Sequence, residues 1–107
     1  MTDAMRVETT IDSQDAATEL ARQLVERRLV ACAQIVGPIS STYWWEGKVS
    51  TETEYLVVCK TAKDRVEELR VAINELHSYD VPEILAVEID SGNPAYLDWV
   101  AAETRAQ

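Results

Sequence analysis

Polar and apolar positions alternate strictly from Met5 to Ile11. Met5, Val7, Thr9 and Ile11 share one side; Arg6, Glu8 and Thr10 share the other. A period of two predicts a strand with one buried face. Asp12 or Ser13 then offers a helix cap, with Asp15 near the positive end of the dipole. Ala17, Leu20, Ala21, Leu24 and Val25 recur at helical spacing, and Arg27 and Arg28 fall where the last turn is expected. The pattern predicts an amphipathic helix of about four turns.

Val30 to Trp45 is long and β-rich, with Gly37 and Pro38 marking a bulge or bend. Glu46 and Gly47 make a tight turn whose type is open, because glutamate suits the first position of the commonest hairpin turn poorly. Lys48 to Thr61 returns as a second long strand. Val49, Thr51, Thr53, Tyr55, Val57 and Cys59 share one parity; Glu52, Glu54, Leu56, Val58 and Lys60 share the other. Thr61 and Asp64 resemble a loose capping box. Val66, Leu69, Ile73 and Leu76 form a helical stripe that ends near His77. Val81 precedes Pro82 and is therefore extended. Ile84 to Asp90 reads as a strand with Leu85, Val87 and Ile89 toward the core. Asn93 and Pro94 open a last helix carrying Tyr96, Leu97, Trp99 and Val100.

The element order βαββαβ is the split βαβ, or ferredoxin-like, arrangement, an α+β sandwich with an antiparallel sheet. A long β2–β3 hairpin and an extra C-terminal helix are added to it. The 107 residues fit a single domain spanning 1–107. No repeat or linker interrupts them.

The middle hairpin is too long for such a domain. A continuous strand from Ala31 to Trp45 would run on the order of 50 Å, in a domain about 30 Å across. The ribbon overhangs its own fold and exposes backbone edges that invite another chain. Tyr43 and Trp45 lie on one face of it and Trp44 on the other. Large aromatics on both faces call for cover on both sides. An oligomer is expected on these grounds alone; the alternative is a ribbon folded back on its own sheet.

Charge and composition narrow the chemistry. With 19 acidic and 10 basic residues the formal net charge is −9. Such a surface repels nucleic acid and anionic membranes and tolerates cations. Two cysteines, Cys32 and Cys59, are too few for a disulfide scaffold. No signal peptide and no apolar run of about 20 residues is evident, so the cytoplasm is the expected location. There is one histidine, no nucleophile elbow, no glycine-rich phosphate loop and no paired zinc spacing. No enzymatic activity is expected.

Several segments occur together in a recognisable order. Leu29-Val30-Ala31-Cys32-Ala33 precedes Tyr43-Trp44-Trp45-Glu46-Gly47-Lys48. Lys60-Thr61 closes the next strand. His77-Ser78-Tyr79-Asp80-Val81-Pro82-Glu83 leads into the last strand, and Tyr96-Leu97-Asp98-Trp99 lies on the final helix. From about Val7 to Glu103 the chain resembles the CutA family of divalent-cation tolerance proteins. The resemblance implies a ferredoxin-like subunit in a tight homotrimer, similar to the PII signalling proteins, with the long hairpins pairing between subunits. It also implies a role in tolerance of divalent metals, with divalent copper as the expected ion and no other cofactor. Two features depart from the family. Where some relatives have a cysteine on the first strand, this chain reads Val7-Glu8-Thr9-Thr10; where proline often follows the histidine, it has Ser78.

The candidate metal ligands are His77, Cys32 and Glu83. Imidazole and carboxylate suit copper(II) or zinc, and Cys32 offers a soft ligand. Against that, a histidine at a helix end can simply complement the dipole, and a strand cysteine is usually a small buried hydrophobe. By resemblance, Trp45, Lys60, Tyr79 and Glu83 are the candidate residues of a cleft between subunits. There Lys60 is expected to pair with Glu83 or to hold an anion. Tyr43, Trp44 and Trp99 are assigned to packing. The leading expectation is a non-enzymatic trimer that binds a metal ion or small ligand between subunits. The alternative is a PII-like signalling or interaction module in which metal is incidental.

Overall fold

The computed structural model describes residues 2–105. Its elements are β1 (Ala4–Ile11), α1 (Gln14–Glu26), β2 (Cys32–Trp45), β3 (Lys48–Ala62), a 3₁₀ turn (Lys63–Arg65), α2 (Val66–Leu76), β4 (Leu85–Glu88) and α3 (Pro94–Glu103). One antiparallel sheet has the strand order β2-β3-β1-β4. This is the expected ferredoxin-like α+β sandwich with an added C-terminal helix.

Strand parity decides what the sheet buries. Met5, Val7, Thr9 and Ile11 are all buried, and their partners Thr61, Cys59, Val57 and Tyr55 point the same way. Leu20, Leu24, Leu69 and Ile73 from α1 and α2 close over Val7, Val57 and Cys59 to form the main core. Helix α3 crosses the opposite face near Ala4 and Ala62, where Val100 is buried.

The N-terminus of α1 is capped by Ser13, whose hydroxyl accepts from the Ala16 amide at 3.1 Å. Its C-terminus differs from expectation. Arg27 and Arg28 lie outside the last turn: Arg27 is the C-cap and Arg28 has φ 57°. The Arg28 amide donates to the Val25 carbonyl and the Leu29 amide to the Leu24 carbonyl. That paired closure is the Schellman motif, with arginine where glycine is usual. Arg28 is anchored instead by its guanidinium, which donates to the carbonyl and carboxylate of Glu103. Val25, placed in the apolar stripe by spacing, is exposed.

Two further expectations are corrected. Thr61 does not cap α2; a 3₁₀ turn precedes that helix, and no side-chain cap bond closes either element. The Thr61 hydroxyl donates instead to the buried Leu29 carbonyl at 2.7 Å. The last strand is also shorter and turned over. Leu85 and Val87 pair with Glu8 and Arg6, so they face away from α1 and α2, each 54% exposed. Ile84 packs against the core instead.

The long hairpin is as expected, with its register shift between Val36 and Ile39. A Cβ on Gly37 would stand 2.6 Å from the Tyr55 ring, so the strands close up only with glycine there. At the tip, Glu46 and Gly47 both have positive φ, as the primed type I turn requires. Trp45 therefore pairs directly with Lys48.

Two predictions follow from the core. Thr61→Val removes the one side-chain donor to the Leu29 carbonyl among the described residues while keeping the shape, and should cost about 1–3 kcal/mol in denaturant unfolding. An unchanged midpoint would show that water reaches that carbonyl. Burial pushes the Cys59 thiol up to about 12, so it stays protonated and inert near neutral pH. A thiol reagent should label Cys59 only after denaturant opens the helix layer.

Candidate functional site

The turn after α2 brings several candidate residues to the root of the hairpin. His77 is the C-cap of α2, and its extended backbone sends the chain across the end of β1. The buried ring is fixed from both sides. Nε2 lies 2.8 Å from the Thr10 carbonyl, and Nδ1 lies 3.0 Å from the Tyr79 amide. A carbonyl can only accept and an amide can only donate, so Nε2 carries the proton and Nδ1 presents its lone pair.

Tyr79 packs on this ring with centroids 4.7 Å apart, and its hydroxyl donates to the Glu54 carboxylate at 2.9 Å. Glu54 is a buried carboxylate, placed just beyond the register shift and opposite Ile39. Burial, together with the charge of Glu54 that it donates to, holds the Tyr79 phenol well above its ordinary range. Asp12 and Tyr43 act in the same direction. Tyr79 is therefore a permanent hydrogen-bond donor near neutral pH.

A second group lies at the other end of the sheet. Cys32 is half-buried, with its thiol 3.5 Å from the Tyr96 hydroxyl. That contact and then burial push the Tyr96 phenol up to about 12. Lys60 pairs with Cys32 across the strands and donates to the Gln34 side-chain oxygen at 2.8 Å. Within the chain no Lys60–Glu83 ion pair forms among the described residues. The Glu83 carboxylate is exposed and has no hydrogen bond or ion pair among the described residues. Trp45 stands at the hairpin tip, 62% exposed, beside Trp44 at 75%.

The candidate metal ligands do not come together among the described residues. His77, a candidate ligand, has both ring nitrogens in hydrogen bonds to the backbone. Cys32 and His77 are also apart. Cys32 pairs with Lys60, whereas His77 is bonded to Thr10, which pairs with Leu56. Four residues along β3 separate those rows, about 13 Å. Among the described residues no three His, Cys, Asp or Glu side chains converge on one point. The cleft candidates are spread likewise. Trp45 is at the tip, Tyr79 at the root beside Glu54, and Lys60 a further six residues along β3, about 20 Å. Within this chain these residues do not share one cleft.

Glu54 and Thr10 were not singled out by the sequence pattern. Glu54 has one usable signal: it shares its parity with the apolar Leu56 and Val58, so a carboxylate there needs a partner. Nothing in the spacing identifies that partner as Tyr79, 25 positions away.

Residues 5–103 match the family described as CutA1 divalent ion tolerance protein. A divalent-cation tolerance protein CutA of Thermus thermophilus is 41% identical over 95 residues, covering 89% of this chain and 92% of that protein. The chloroplastic CutA 1 of rice is 41% identical over 96 residues, 90% of this chain but 54% of the rice protein. This chain thus spans about half the length of that plant relative. Among solved structures, rice CutA1 superposes with a TM-score of 0.95 at 38% identity, covering 99% of this chain and 97% of that one. The Thermus thermophilus protein gives 0.92 at 39% identity, covering 95% and 99%. Sequence and backbone agree along nearly the whole length, and the chain belongs to the CutA1 divalent ion tolerance family.

Proposed function

We propose that this chain works in the cytoplasm as a non-enzymatic homotrimer implicated in divalent-metal tolerance, with copper as the candidate ion. In this reading it binds a metal ion or small ligand in clefts between subunits. One observation carries it: the hairpin extends beyond the helices that cover its sheet. The molecule measures 44 × 26 × 22 Å, and Trp44, Trp45 and Val49 at the far end are all exposed. Aromatic surface of that size on both faces of a ribbon is stabilised by burial against another chain. The outer sheet face supports the same reading, since Val36, Leu85 and Val87 are exposed there. In this reading Trp45 at one subunit's tip meets Tyr79 at another's root, and Lys60, about 20 Å further along β3 from that root, comes from a different chain than that Tyr79. Cys32 and Glu83 are then the ligands left to a metal, each subunit supplying a part.

A second reading is a PII-like signalling or interaction module in which metal is incidental. It is favoured by the absence of a converging ligand set among the described residues. In either reading the subunit cleft is where a small molecule or ion would act. No helix among the described residues is long and apolar enough to cross a membrane.

Native mass spectra during a copper(II) titration test the first reading. The expected species has three times the 12.0 kDa of one chain and takes up copper in multiples of three. Cys32→Ala and Glu83→Gln should each lower that uptake. Weak, scattered uptake on an intact trimer would favour the second reading, and a monomer would defeat both. Deleting Trp44 to Val49 should shift the mass toward one chain. If the assembly survives that deletion, the ribbon is not what holds it together.

A further inference from the structure

On the outer face of the sheet the ladder sets Cys32, Lys60, Arg6 and Val87 in one row, one residue from each of the four strands. Lys60 and Arg6 are direct partners. Among the paired residues of the described ladder, theirs is the one pair in which both are charged, and the charges are alike. Like charges directly opposite each other destabilise a sheet. This chain has 19 acidic residues and 10 basic ones, yet two of its cations stand side by side here. We propose that Arg6 and Lys60 form a binding site for a small oxyanion, a carboxylate or a phosphate, on this face.

Both side chains lean toward the next row, Gln34–Val58–Glu8. Lys60 donates to the Gln34 side-chain oxygen at 2.8 Å, and Arg6 Nε donates to the Glu8 carboxylate at 2.7 Å. Val58 lies between them and is buried, although it belongs to the outer face. The two cationic heads thus flank an apolar floor from either side of one strand. Neighbouring strands lie about 4.8 Å apart, so Gln34 and Glu8 are separated by roughly 10 Å, a span within reach of one small molecule. Beyond Cys32 the row is bordered by α3. The Tyr96 hydroxyl lies 3.5 Å from the Cys32 thiol, and the Tyr96 ring stands 5.5 Å from that of Trp99.

Donors are left over at both heads. An ammonium carries several N–H groups and a guanidinium a fixed fork of them. Lys60 uses one on Gln34, and Arg6 uses Nε on Glu8; their remaining N–H groups have no acceptor among the described residues. The Arg6 side chain is half-exposed, which leaves its terminal nitrogens open to a ligand. Such a fork matches a carboxylate or phosphate through two parallel bonds. Glu8 is the one carboxylate that answers the two cations, so the pair keeps a surplus positive charge. That surplus draws an oxyanion and repels a divalent metal. The site rests on the reading that a small ligand occupies the cleft holding Lys60, and it adds the charge of that ligand and a second residue, Arg6.

Succinate and inorganic phosphate, titrated separately into the full chain at low ionic strength, probe the site. Calorimetry reads the binding, and native mass spectra read the assembly. The wild type should take up at least one of the two saturably, one anion per chain, and whichever saturates at lower concentration names the class. Arg6→Gln and Lys60→Gln should each weaken that uptake by roughly tenfold or more, the factor expected for a hydrogen bond to a charged group. Lys60→Arg keeps the charge and should retain binding, which separates loss of the site from loss of the fold. Lys63→Gln removes a cation that pairs with Glu88 and should leave the uptake unchanged. Equal weakening in Lys63→Gln would reduce the effect to net charge and overturn the site. So would a wild-type trimer that takes up neither anion, an outcome that leaves the cleft reading standing. If that trimer also falls apart in Arg6→Gln and Lys60→Gln, the pair belongs to a carboxylate of a second copy. A monomer that binds the anion would instead defeat the cleft reading and support the Arg6–Lys60 site.

Discussion

An extended residue advances about 3.3 Å and a helical one about 1.5 Å. Strands of 14 and 15 residues therefore run more than twice as far as the helices of 13 and 11 residues that pack on them. No arrangement of α1 and α2 can cover β2 and β3 along their length. The consequence runs through the whole molecule. The covered half of the ribbon carries the core residues Val57 and Cys59, and the uncovered half carries Tyr43, Trp44 and Trp45. The register shift between Val36 and Ile39 marks the border between the two.

That border needs a fixed direction. A two-stranded ribbon is marginally stable in water, and beyond the sheet it has only its own ladder to hold it. The Gly37 backbone, closing onto the Tyr55 ring, locks one side of the root. Tyr79, reaching Glu54 from the turn after α2, locks the other. A buried carboxylate at such a place would be costly without a donor. The phenol supplies one that does not ionise near neutral pH, and His77 positions the phenol.

Much of this was legible where a single strong pattern acted. The alternation of Met5 to Ile11 identified both faces of β1, because one side is sealed by helices and a one-residue slip would reverse it. Ser13 and the Gly37–Pro38 break were likewise local signals with local causes. The failures came where tertiary contact decided. Leu85 and Val87 alternate like core residues, yet they sit on an edge strand whose outer face is also apolar, and alternation does not say which face is sealed. Thr61 has the spacing of a cap, but the Leu29 carbonyl, 32 positions away, accepts its hydrogen bond. Arg28, left-handed at the end of α1, bonds to Glu103, a partner that no spacing within α1 can announce.

The site was legible in kind and not in arrangement. His77, Tyr79 and Glu83 stand close in sequence, which suggests one cluster, yet they do three different things. His77 turns inward to β1, Tyr79 reaches the ribbon, and Glu83 faces solvent. A turn that leaves a helix end and crosses a sheet edge changes direction at nearly every residue, so neighbours in it need not share a target. The same turn accounts for the pair of hydrogen bonds that His77 makes. Its two nitrogens meet one acceptor and one donor from the backbone, and a metal could bind only by displacing the Tyr79 amide that shapes the turn itself. The side chains that this fold leaves without partners, Glu83 among them, are therefore set apart from the turn that His77 shapes.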